Sequence, residues 1–312
     1  MAFFGDVESP ILPLAISFFT FQQIAYLVDA WRGDTSEYNF LHYSLFVCFF
    51  PQLIAGPIVH HKDILPQFMR PANLSPQLSN FAIGLSIFAI GLFKKVVIAD
   101  GFAQFATPVF DIAAAGGTLY TMDAVAGMFS YAFQLYFDFS GYSDMAIGLA
   151  CLFGIKLPVN FFSPYRAQNI SDFWRMWHAT LSRFLRDYVY AGLGGFMCSP
   201  WRQRFNLFTT MFIGGVWHGA GWTFIVYGIF HGAYVVIHQL WRIKVSGPLR
   251  LVPRKDYRFI AQVVTFLAVC LSLVVFRADT LSAAGHIYMA MADWSGANFV
   301  PAYGERLAQS NL

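Results

Sequence analysis

Two apolar runs constrain this chain more than any other feature of it. Residues 259–276 carry no charged side chain, and residues 221–240 are rich in aromatics and end against a basic stretch. Each is close to the roughly 20 residues an α-helix needs to cross the hydrocarbon core of a bilayer. Less uniform runs at 11–28, 81–99 and 124–137 are interrupted by Gln22, Gln23, Lys94, Lys95 and Gln134, and those at 143–155 and 205–216 are too short to cross alone. A bilayer tolerates broken backbone only where protein or a water-filled cavity covers it. The short runs are therefore expected to be half-spans or re-entrant segments. A charge at a helix centre costs about 2.5–3.5 kcal/mol on insertion scales, so the polar interruptions are expected to face cavities rather than lipid.

Composition agrees. Of 312 residues 57% are hydrophobic and only 12% charged, against about 25% charged in an ordinary soluble domain. That excludes a water-soluble enzyme, a disordered chain, collagen and a secreted disulfide scaffold, and points to one all-α, multispanning membrane domain over residues 1–312. Lys and Arg number 20 and Asp and Glu 17, a net charge of +3, too small to indicate a nucleic-acid partner. Placement says more. Residues 166–258 hold 12 of the basic residues but only Asp172, Asp187 and Asp256 among the acids. The loop between the two best spans carries Arg242, Lys244, Arg250, Arg254, Lys255 and Arg258, and the positive-inside bias puts such a loop in the cytoplasm. Residues 1–10 include Asp6 and Glu8 and lack a basic start, so no cleavable signal peptide is expected. Cys48, Cys151, Cys198 and Cys270 show no C-x-x-C spacing, and neither a disulfide nor a zinc site is expected.

Residues 171–190 are of another kind. Read as one helix, Trp174, Trp177, Leu181, Leu185 and Tyr188 fall on one face, while Arg175, His178, Ser182 and Arg186 share a neighbouring one. Ser171 and Asp172 supply an N-cap and an acidic first turn. An amphipathic, cationic helix of this type serves as an interfacial anchor or lines a polar vestibule, and His178 is what the anchor reading leaves unexplained.

Of the eight histidines His218 is the most suggestive. It lies in Gly214-Gly215-Val216-Trp217-His218-Gly219-Ala220-Gly221-Trp222, a glycine-rich break where backbone can approach a ligand closely. A neutral imidazole there is a competent base for a hydroxyl group; a histidine donating to a neighbouring helix carbonyl is the other reading. His231 and His238, seven residues apart near Tyr227 and Tyr234, share one helix face and read as packing histidines held by hydrogen bonds. Thirteen residues from His218 to His231 turn a helix by roughly 220°, which argues against a shared haem. No G-x-S-x-G elbow, no H-E-x-x-H and no G-x-x-x-x-G-K loop occurs, and no histidine has Asp four or five residues after it. Nucleophilic-serine, zinc and ATP chemistry therefore lack support.

Three separated stretches carry a resemblance. FPQLIAGPI at 50–58, FSGYSDMAIGLACLFGIKLPVNFFSPYRAQNISDFWRMWHATLSRFLRDYVY at 139–190 and WHGAGWTFIVYGIFHG at 217–232 resemble the membrane-bound O-acyltransferase family, and within it the alginate O-acetylase branch. The resemblance runs from about residue 11 to 276. It implies a ring of membrane helices, some broken or re-entrant, around a central tunnel that brings an acyl donor from the cytoplasmic side to an acceptor on the other. His218 matches the position treated in the family as catalytic, His178 its second characteristic histidine, and His231 a recurrent position of uncertain role. The implied catalytic residues are His218, as the base, and His178, which orients the donor or stabilises the developing oxyanion, with the two roles interchangeable; Arg175, Arg186, Trp177, Trp217 and His231 are the implied substrate-binding residues. No cofactor or metal is implied; the donor is acetyl-CoA or an acyl carrier. The expected partners are membrane lipid, a polysaccharide acceptor and periplasmic acetylation proteins, and the expected location is a bacterial inner membrane.

Where the family usually has Arg-Arg-Trp-His this chain has Arg175-Met176-Trp177-His178, Ala191-Gly192 replaces Ile-Pro after Tyr190, and His60-His61 stands where a basic or aromatic pair is common. Family members begin several spans earlier, so the chain is expected to be incomplete at its N-terminus and short at its C-terminal end. Alginate is the first acceptor the resemblance implies, with cellulose, peptidoglycan and teichoic acid as alternatives. A non-catalytic membrane subunit of an acyl-export complex is the reading from a different class.

Overall fold

The computed structural model describes residues 16–35, 39–53, 56–246 and 255–294. All regular structure among them is helical. The first five residues of the run at 11–28, Ile54 and Ala55 of the 50–58 motif, and Arg250 and Arg254 of the basic loop lie outside the described residues.

The chain divides into two compact units, Met1–Phe88 with Ala146–Pro158, and Ala89–Met145 with Val159–Leu312. The first contains α1 (Ile16–Trp31), α2 (Phe40–Cys48), the single turn α3 (Phe50–Leu53) and α4 (His61–Phe68). Asn39 caps α2 by accepting from the His42 N–H at 2.9 Å. Its core gathers Phe46, Val59, Ile64 and Leu65 around Ala150 and Ile155. The Gln67 side chain joins this core to the segment after Ile155, donating to the Lys156 carbonyl at 3.1 Å and accepting from its N–H at 2.8 Å.

Two long helices run through both units. α5 (Leu78–Phe93) continues through a π-helical turn at Lys94–Ala99 into α6 (Asp100–Ala114), giving a helical stretch of 37 residues. α7 (Thr121–Leu152) is a single helix of 32 residues. The runs at 124–137 and 143–155 are therefore parts of one helix, and 143–155 is not a half-span. No proline interrupts it, and Gly141, where a chain break is easiest to imagine, serves contact instead: a Cβ there would sit 2.7 Å from the Gly91 carbonyl oxygen.

The second unit adds α8 (Ile170–Met176), α9 (Ala179–Phe184), α10 (Pro200–Trp217), α11 (Trp222–Trp241), α12 (Lys255–Arg277) and α13 (Leu281–Ala292). Ser199 caps α10, with Pro200 in its first turn, and Thr280 caps α13. The spans read at 221–240 and 259–276 match α11 and α12 closely, whereas α13 had no counterpart in the sequence reading. Three described stretches are long and apolar enough to cross a membrane: Leu78–Ala114, Trp222–Lys244 and Tyr257–Arg277. The core of this unit is built on Phe110, Met128, Trp174, Tyr227, Leu273 and Ile287.

The two lysines that interrupt the run at 81–99 do not face an empty cavity. Lys94 pairs with Asp144 at 2.5 Å, and Lys95 with Asp100 at 2.6 Å and Asp138 at 3.0 Å. The cost of a charge in an apolar stretch is met here by ion pairing from the π-helical turn to Asp138 and Asp144 of α7 and to Asp100 of α6.

The helix expected at 171–190 is broken. α8 ends at Met176, His178 adopts φ 44° and ψ 52° in the left-handed region, α9 begins at Ala179, and a π-helical turn follows at Leu185–Tyr190. The cap of α8 is Asn169, whose side chain accepts from the Asp172 N–H at 2.9 Å, rather than Ser171, while Asp172 stands in the acidic first turn as expected. An adjacent non-helical segment, 160–162, takes up the backbone groups that the break releases. Phe162 N–H donates to the Met176 carbonyl at 2.9 Å, and Ala179 N–H to the Asn160 carbonyl at 3.0 Å. Those bonds replace the helical ones, which is why the break is tolerated among buried side chains.

Candidate active site

The break decides where the side chains of α8 and α9 go. Arg175 and His178, predicted to share a face, are separated. The Arg175 side chain is exposed and pairs with Asp172 at 3.1 Å, while His178 is 1% exposed. Arg186 is also exposed, bound to Asp187 at 2.7 Å, and that carboxylate raises the pKa of the guanidinium above its ordinary value. Neither arginine is brought to the His178 ring.

His178 sits instead among Phe139 and Phe161, with ring centroids 4.7 and 6.5 Å away. Its Nδ1 lies 3.1 Å from Asn160 Oδ1. Phe161 packs on Trp177 at 5.2 Å, Trp177 on Phe173 at 5.6 Å and Phe173 on His231 at 6.3 Å. One layer of rings thus leads from His178 to His231.

His231, on α11, has both ring nitrogens engaged. Trp174 Nε1 donates to Nδ1 at 3.1 Å, and Nε2 lies 2.9 Å from Ser272 Oγ. Because an indole N–H only donates, Nδ1 must be the bare nitrogen and Nε2 must carry the proton. Ser272 accepts it and passes its own hydrogen to the Val269 carbonyl at 2.7 Å. The chain of bonds is complete, and His231 is wholly buried.

His218 caps the C-terminal end of α10, its N–H bonded to the Gly215 carbonyl at 3.0 Å. Its ring is bounded by Trp217 at 4.8 Å, Phe276 at 5.0 Å and Tyr227 at 6.0 Å. Tyr227 continues to His231 at 4.5 Å, and His218 lies within electrostatic range of both His178 and His231. Of the three, only His218 keeps appreciable accessible surface. The glycines before it serve helix packing: a Cβ on Gly215 would meet the Gly228 Cα at 2.5 Å, so α10 and α11 approach closely enough to hold His218 over the α11 face. The half-span read at 205–216 is this helix, 18 residues long.

A cleft of about 450 Å³ opens between α8, α11 and α12, with Tyr234, Ile237, Trp241 and Val264 in its wall. It shares Gln168, Asn169 and His238 with a smaller, more polar recess of about 290 Å³ lined by Arg175, Asp172 and Arg242. Arg175 therefore faces this recess. Among the described residues no group of three histidine, cysteine, aspartate or glutamate side chains is arranged to hold a metal ion. Sequence reasoning missed Asn160 and Ser272. Neither has a local signal, since each acquires its partner from a segment far away in the chain.

An all-helical membrane fold that gathers three histidines around one aromatic layer, with the most accessible of them at a glycine-lined helix junction, defines a class. The chain belongs to the membrane-bound O-acyltransferase family, whose model matches residues 16–278. It is 47% identical to a peptidoglycan O-acetyltransferase from Helicobacter pylori over 92% of this chain and 58% of that protein. It is 44% identical to a probable alginate O-acetylase from Pseudomonas aeruginosa over 90% of this chain and 52% of that one. A teichoic acid D-alanyltransferase from Streptococcus thermophilus is 28% identical over 84% of the chain. The chain spans about half the length of the curated O-acetylase relatives it matches.

Proposed function

We propose that this protein is a multi-pass acetyltransferase of a bacterial inner membrane that moves an acetyl group from a thioester donor to hydroxyls of an exported polysaccharide. His218 takes the proton from the hydroxyl as its oxygen attacks the thioester carbonyl, and the C–S bond then breaks to release the donor thiolate, which takes up that proton as a free thiol; general-base help of this kind is typically worth about 10² to 10⁴ in rate. The partial exposure of residue His218, against the full burial of His178 and His231, is the observation that carries this assignment. His178 is its partner in the site. Arg175, in the polar recess with Arg242, is suited to an anionic group of acetyl-CoA or of an acyl carrier rather than to the reacting carbonyl. Periplasmic acetylation proteins complete the system.

Alginate is the first acceptor to test, in keeping with several relatives named as probable alginate O-acetylases at 42–44% identity. Peptidoglycan is a second reading with its own support, the 47% identity to an enzyme named for that acceptor. Base-labile acetate is to be measured on alginate and on peptidoglycan from strains lacking the corresponding native acetylase and carrying this gene. Acetate on alginate supports the first reading, acetate on peptidoglycan alone replaces it with the second, and acetate on neither contradicts both.

A further inference from the structure

Asn160 is the most fully engaged side chain near the candidate site. It is 1% exposed. Its Oδ1 accepts from the Thr180 hydroxyl at 2.9 Å and the Thr180 backbone N–H at 3.3 Å, and lies 3.1 Å from His178 Nδ1. Its Nδ2 donates to Ser143 Oγ at 3.2 Å. The Asn160 carbonyl in turn accepts from Ala179 N–H at 3.0 Å, so one residue grips His178 and the two residues that follow it.

These contacts fix the direction of every bond. An amide side chain can be rotated by half a turn with almost no change in shape, so its orientation has to be inferred from its partners. A backbone N–H can only donate. Thr180 N–H therefore requires oxygen, not NH₂, at the Oδ1 position, and the rotated alternative would set two donors against each other in a buried place, at a cost of a lost hydrogen bond or more. With the oxygen fixed, His178 Nδ1 can approach at 3.1 Å only as a donor. A neutral imidazole carries one proton, which leaves the lone pair on Nε2.

We propose that Asn160 is a positioning residue that holds His178 as its Nδ1–H tautomer, so that His178 enters the reaction through Nε2 as a hydrogen-bond acceptor and not as a donor to the oxyanion. The catalytic half of this inference rests on the acyl-transfer reading above; the tautomer does not. The logic is that of a base oriented by a neighbour on its other nitrogen, reached here with an uncharged amide.

The test pairs a spectroscopic readout with a kinetic one on the whole protein in detergent. Histidine labelled with ¹⁵N reports which ring nitrogen holds the proton, and His178→Ala assigns the signal. The expected result is an Nδ1–H ring in the native protein, with that preference lost in Asn160→Ala. A native ring protonated on Nε2, or an Asn160→Ala ring unchanged from native, overturns the proposal. In the acetyl-transfer assay Asn160→Ala should lower the rate by about 10² or more, within the range general-base help supplies, and should add nothing in a His178→Ala background, where two members of one unit have already lost their joint effect. A further loss in that background assigns Asn160 to structure alone. Asn160→Asp keeps the acceptor and adds a negative charge beside the ring, so it should retain the Nδ1–H tautomer and move the acid limb of the pH–rate profile to higher pH. An unmoved limb contradicts the inference. Full activity of His178→Ala overturns the catalytic half alone, while full activity of both His178→Ala and His218→Ala overturns the acyl-transfer reading. In either case the tautomer is judged separately by the ¹⁵N spectrum.

Discussion

Trp174 and His231, 57 positions apart, hold each other through a buried hydrogen bond of 3.1 Å. The bond sets the imidazole with its proton toward Ser272 and ties α8 to α11 through side chains rather than backbone. His231 is thereby a part of the scaffold that carries His218 and His178. Trp174→Phe removes the donor and strands a buried acceptor, which should cost about 1–3 kcal/mol, and Ser272→Ala should cost a similar amount. Thermal unfolding in detergent reads both. The rate of acetyl transfer per folded molecule should stay unchanged in each; a lost rate at full stability would assign His231 a direct part in substrate binding.

Gly91 on α5 and Gly141 on α7 predict a second sensitivity. A Cβ on Gly91 would lie 2.6 Å from the Gly141 carbonyl oxygen, and one on Gly141 would lie 2.7 Å from that of Gly91. Backbone leaves no flexible side chain to yield, and the ion pairs of Lys94 and Lys95 sit one turn further along. Gly91→Ala and Gly141→Ala should each destabilise by about 1–3 kcal/mol, the usual cost of overpacking, and the pair should be far from additive because both relieve their clash by the same helix separation. Unfolding temperatures of the two single variants and the double variant decide it.

Stability should also depend on pH through His61 in the first unit. Burial lowers its pKa below the ordinary 6.5, against the opposing pull of Asp29, whose carboxylate is 3.8 Å from Nδ1. The folded state thus takes up a proton less readily than the unfolded chain. Above pH 6.5 both states are neutral; as pH falls through that value toward the lower folded one, the unfolded chain is protonated first and stability is lost. The unfolding temperature should fall between about pH 7 and pH 5, and His61→Gln should flatten the fall. An unchanged slope in the variant would assign the acid sensitivity to other groups.

How much of this was legible in the sequence depends on whether a feature is local. The spans at 221–240 and 259–276 reappear as α11 and α12 because a long apolar run has one stable form in a bilayer. The three resemblance motifs located His178, His218 and His231 before any geometry was known. The helix expected at 171–190 failed at His178, because periodicity cannot register that Phe162 and Asn160 supply replacement hydrogen bonds from outside the window. The grouping of Arg175 with His178 failed with it. The apolar pattern divides α7 into runs at 124–137 and 143–155, around Asp138, Ser140 and Gly141, whereas Asp138 meets Lys95 and Gly141 meets Gly91 across the helix pair. Asn160, the residue that orients His178, lies in a stretch with no periodicity at all.

The claim that His218 is the base is tested most directly by base-labile acetate on the exopolysaccharide of a strain that lacks its own acetylase and carries this gene or its His218→Ala variant. The account predicts acetate restored by the native gene and lowered by about 10² to 10⁴ in the variant, with the variant protein present in the membrane at native abundance. Acetate restored equally by both would contradict it.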